Sequence, residues 1–69
     1  MNNDYVLHEL VSSIKESADE IRGKANRSEL DYGMLLAYAE ALSIIRDACG
    51  EDNLHNIGLD FDIDARYLL

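Results

Sequence analysis

The sequence predicts an all-α protein: an antiparallel helical hairpin followed by an extended or short-turn tail, with two copies joining into a four-helix bundle. Three observations lead there. Apolar residues recur at spacings of three and four over residues 4–24 and again over residues 29–49, with a short polar break between. The second run carries apolar side chains over more of its circumference than one partner helix covers. Finally, the chain has only 69 residues and a single cysteine. A core of that size supplies only about 3–5 kcal/mol unaided, so self-association is the expected source of further stability. The whole chain, residues 1–69, is expected to form one domain.

In the first helix Leu7, Leu10, Val11, Ile14, Ala18, Ile21 and Ala25 fall on one stripe about 100° wide. Asn2 or Asn3 is expected to cap its start, and Asp4 suits the positive end of the helix dipole. Glu9, Lys15, Glu16, Asp19, Glu20 and Arg22 occupy the other side. The break, Gly23 to Arg27, is basic, and its cations sit where the carbonyls of the first helix end, a structural reason that needs no phosphate ligand. A loop of about five residues between amphipathic helices implies an antiparallel pair.

Ser28 opens the second helix as N-cap, with Asp31 three residues on completing an approximate capping box. Leu30, Met34, Ala37, Tyr38, Ala41, Leu42, Ile45, Ala48 and Cys49 fill one broad side, and Leu35 and Ile44 extend it to about 180°. Tyr32, Leu36 and Ala39 lie outside it, and Glu40, Ser43 and Asp47 leave only a narrow polar strip. Gly33, Ala37 and Ala41 recur every fourth residue. Gly33 costs about 1 kcal/mol against alanine within a helix, which points to a close backbone contact. Gly50 is placed to end the helix.

The tail, residues 50–69, is acidic, with five acids and one base from Glu51 onward. Asp52 is expected to cap one turn holding Leu54 and His55, closed by Gly58, and Asp64 to cap a last turn. Between them Leu59-Asp60-Phe61-Asp62-Ile63-Asp64 alternates apolar and acidic, the signature of a half-buried strand. Since one strand alone is unstable, it must pair with its copy, add to another sheet, or lie unpaired along the hairpin groove.

Fourteen acids against six basic residues give a formal net charge of −8, which repels nucleic-acid phosphates; such acidity most commonly serves solubility, and it is also compatible with a basic protein partner. No apolar run reaches the roughly 20 residues that span a membrane, and the N-terminus lacks the pattern of a signal peptide. The unpaired cysteine suits a reducing compartment, so a cytoplasmic location is expected.

No catalytic, cofactor or metal site is expected. Asp60, Asp62 and Asp64 open like an EF-hand loop, but Ala65 stands where glycine is needed and the twelfth-position acid is missing. Glu16 and Asp19 give one Glu-x-x-Asp spacing of the kind used by MazG and dUTPase-like hydrolases, yet Ser43 occupies the matching position after Glu40. The Glu-x-x-His element of di-iron bundles is absent, since Tyr5 and Asp52 precede His8 and His55 by three residues. Cys49 lies at the negative end of a helix dipole, a poor place for a thiolate nucleophile.

In size, acidity and lack of a catalytic motif the chain resembles small accessory proteins of bacterial phages and mobile elements. That resemblance supports only this general class. The surplus apolar arc of the second helix points to a protein that binds another protein, as an adaptor or regulator, and the acidic surface to a DNA mimic or inhibitor of a basic target. A small metal-dependent enzyme with acids gathered at a dimer interface is the competing class. The residues expected at the interface are Tyr32, Leu35, Leu36, Ala39 and Ile44 of the second helix, with Leu59, Phe61 and Ile63 of the tail.

Overall fold

The computed structural model describes residues 3–69. Four α-helices follow in order: α1 (Asn3–Arg22), α2 (Glu29–Cys49), α3 (Leu54–Ile57) and α4 (Ile63–Tyr67), with one 3-10 turn, Glu51–Asn53, ahead of α3. The two long helices pack together as the predicted hairpin, and the short ones lie across it. Since α1 begins at Asn3, the expected Asn2 cap lies outside the described residues.

On α1 the buried positions are Val11, Ala18 and Ile21, with Leu7 and Ile14 partly buried beside them, as the stripe predicts. Leu10, assigned to the same stripe, is 52% exposed. The chain leaves the helix at Gly23, whose N–H reaches the Asp19 carbonyl at 3.0 Å. The capping box that opens α2 is present: the Asp31 N–H donates to Ser28 Oγ at 3.1 Å, and the Ser28 N–H donates to Asp31 Oδ2 at 3.0 Å. The other carboxylate oxygen of Asp31 accepts from Lys24 Nζ at 3.1 Å, so one side chain ties loop and helix together.

The buried face of α2 is turned from the one the sequence suggests. Asp31, Leu35, Ala39 and Leu42 are buried, with Tyr38, Ile45 and Cys49 packed at the edge of the core. Leu30, Met34, Ala37 and Ala48, all counted in the broad apolar side, are exposed. Hydropathy counts Asp31 against the inner face, but its charge is taken up by the cap and Lys24, which removes the objection. Gly33 makes no close contact within the chain: a methyl group there would meet nothing within 4 Å.

The tail supplies the third side of the core. Gly50 (φ 77°) turns the chain out of α2, and Gly58 (φ 82°) closes α3 in the left-handed conformation that glycine adopts without penalty. Ile57, Leu59 and Ile63 are fully buried and Tyr67 nearly so. The alternation of residues 59–63 therefore describes burial correctly, but the described residues contain no strand. The segment lies unpaired along the hairpin. Nor does Asp52 or Asp64 cap the turns: Asp62 caps α4 by accepting from the Ala65 N–H at 3.1 Å, and Asn53 precedes α3 without a side-chain cap.

Leu59 and Ile63 bring the tail into the core without any backbone ladder, so their side chains hold it there. Leu59→Ala or Ile63→Ala should each lower stability by about 2–4 kcal/mol, read as a drop in the urea midpoint at unchanged m-value.

Candidate functional site

Charged and aromatic side chains fix the tail to one side of the hairpin. Asp19 of α1 meets Arg66 of α4 in a two-pronged pair, with contacts of 3.0–3.2 Å to both carboxylate oxygens. Lys15 donates to the Gly58 carbonyl at 3.1 Å. The Phe61 ring lies 5.1 Å from Lys15 Nζ and 5.1 Å from the Arg66 guanidinium, and meets Tyr67 edge-on. Nearer the other end, Asn53 donates to Asp4 at 2.9 Å.

The electrostatics follow from this geometry. Partial burial pushes the Asp19 carboxyl up, but the hydrogen bonds from Arg66, together with the nearness of the Tyr67 hydroxyl, outweigh it and hold the group below its ordinary value. The Tyr67 hydroxyl is itself buried without a hydrogen bond of good geometry, so its influence on Asp19 is one of proximity. Burial, then the Asp19 charge, raises Tyr67. Asp31 is lowered by the Ser28 backbone N–H and then by Lys24, and Asp60 by His55, whose Nδ1 lies 2.8 Å away.

Every α1 contact just named comes from one edge of its core stripe. At about 100° per residue, Val6 and Leu10 lie on the opposite edge. The same holds for α2, where Tyr32 and Leu36 are on the tail side while Met34 and Ala41 are away from it. The tail thus closes one side of the hairpin and leaves the other open. The molecule measures only 14 Å across its thinnest axis, room for the hairpin and one covering layer.

On that open side α2 carries a second apolar ladder. The inner ladder runs Asp31, Leu35, Tyr38, Leu42, Ile45, Cys49, in steps of four and three. Each position less one gives Leu30, Met34, Ala37, Ala41, Ile44, Ala48, with the same steps and no charged residue. Of these only Ala41 is half-buried, while Leu30 is 73% and Ile44 62% exposed. The corresponding ladder on α1 starts with Val6 and Leu10, both exposed, and continues as Ser13, Ser17 and Glu20.

The residues expected at an interface divide accordingly. Leu35, Ala39, Leu59 and Ile63 are buried in the protomer's own core, which leaves them no surface for a second chain. Phe61 is half-buried between its two cations. Tyr32 and Leu36 are exposed on the tail side, where with Arg27, Leu35, Tyr67, Leu68 and Leu69 they line an open hollow of about 500 Å³. Of the eight, Ile44 alone belongs to the outer ladder, where Leu30 and Met34 are its main exposed companions.

Among the described residues, no three His, Cys, Asp or Glu side chains converge so as to hold a metal ion, and no helix is long and apolar enough to cross a membrane. A second hollow is lined by Arg46, Asp47, Gly50, Glu51 and Leu54. Comparison with known proteins finds no match, either to a family model, to a curated protein or to a solved structure.

Because Asp19, Asp31 and Asp60 are depressed when folded, they stabilise the fold above the ordinary carboxylate range. That contribution is lost as pH falls through their lowered values, below about pH 4. The urea midpoint should therefore fall between pH 4 and pH 2.5. Asp19→Asn should be less stable than the parent at pH 7 and show a shallower fall.

Proposed function

We propose that this chain is a non-enzymatic interaction protein that works as a homodimer and presents an acidic surface to a basic protein partner. The observation that carries the reading is the outer ladder of α2: a row of apolar side chains on a 21-residue helix, all but the half-buried Ala41 left exposed by the described residues. Exposed apolar surface arranged in a continuous row, rather than scattered singly, marks an interaction face. Stacking two hairpins on their open sides gives a four-helix bundle in which each tail remains outside.

The charge distribution supports the second half. Lys15, Lys24 and Arg66 are all engaged within the chain, to the Gly58 carbonyl, Asp31 and Asp19. Glu9, Glu16, Glu20, Glu29, Glu40, Glu51, Asp52 and Asp64 are exposed. The surface that solvent meets is thus more one-sided than the composition alone indicates, which favours a cationic partner and speeds its approach at low salt. An adaptor, a regulator and a mimic that occupies the nucleic-acid site of a basic protein all use such a surface.

Sedimentation equilibrium at low micromolar concentration should give the mass of two chains, and a stable monomer there overturns the reading. Ile44→Glu should weaken association at least tenfold, equivalent to about 1.4 kcal/mol, with helix content unchanged because the side chain is already exposed. Leu36→Glu, on the tail side, should leave association nearly unaltered.

A further inference from the structure

We draw no further inference here: the strongest candidate, the open hollow between the start of α2 and the end of α4, is lined by apolar side chains and by Arg27, which has the exposed Glu29 close by in the chain, and nothing in the structure shows what covers it.

Discussion

The docking of the tail determines which side of this protein is closed and which is open. The hairpin by itself has two open flanks, and its core is a single line of contact between α1 and α2. Ile57, Leu59, Ile63 and Tyr67 turn that line into a core by filling one flank. They do so without a strand ladder, so position is held by side chains: the Asp19–Arg66 pair, Lys15 on the Gly58 carbonyl, and Phe61 between the two cations. None of these contacts is worth much alone, since exposed ion pairs contribute about 0–1 kcal/mol. Their importance is directional, because they choose the flank on which the apolar burial then acts.

Much of the hairpin was legible in the sequence for a simple reason. The stripe of α1 has charged residues on both sides, so only one orientation buries it. The Ser28–Asp31 cap and the stops at Gly50 and Gly58 follow from local backbone chemistry, which a tertiary context rarely overrides. The rotation of α2 was not legible. Two apolar ladders, offset by one residue, lie about 100° apart on that helix, and periodicity measures their sum. The broad apolar side read from the sequence mixes members of both: Leu42 and Ile45 from the inner ladder, Leu30 and Met34 from the outer. The presence of Asp31 at the head of the inner ladder biased the reading outward, although its carboxylate is satisfied twice over.

The tail illustrates a different limit. Alternation of apolar and acidic residues records which side chains are buried, not how the backbone is paired. Leu59 in, Asp60 out, Phe61 half in, Asp62 out and Ile63 in suits a strand and suits equally a short extended link between two helical turns. What decided the matter is that Asp62 doubles as the cap of α4, so the chain turns helical just where a strand would need to continue. The candidate interface inherited both ambiguities. Leu59 and Ile63 belong to the expected strand, Leu35 to the expected edge of the apolar side of α2, and Ala39 to the positions outside that side.

The placement of charge resolves why the open face is on the side where it lies. Lys15 and Asp19 sit on one edge of the α1 stripe, and both have partners in the tail. On the opposite edge the outer ladder of α2 contains no ionisable group, and its counterpart on α1 begins with Val6 and Leu10. The flank with Lys15 and Asp19 offers the tail a donor for the Gly58 carbonyl and a carboxylate for Arg66, and the opposite one offers neither. The placement of Lys15 and Asp19 therefore distinguishes the two flanks, one closed by the tail and one lined with apolar side chains.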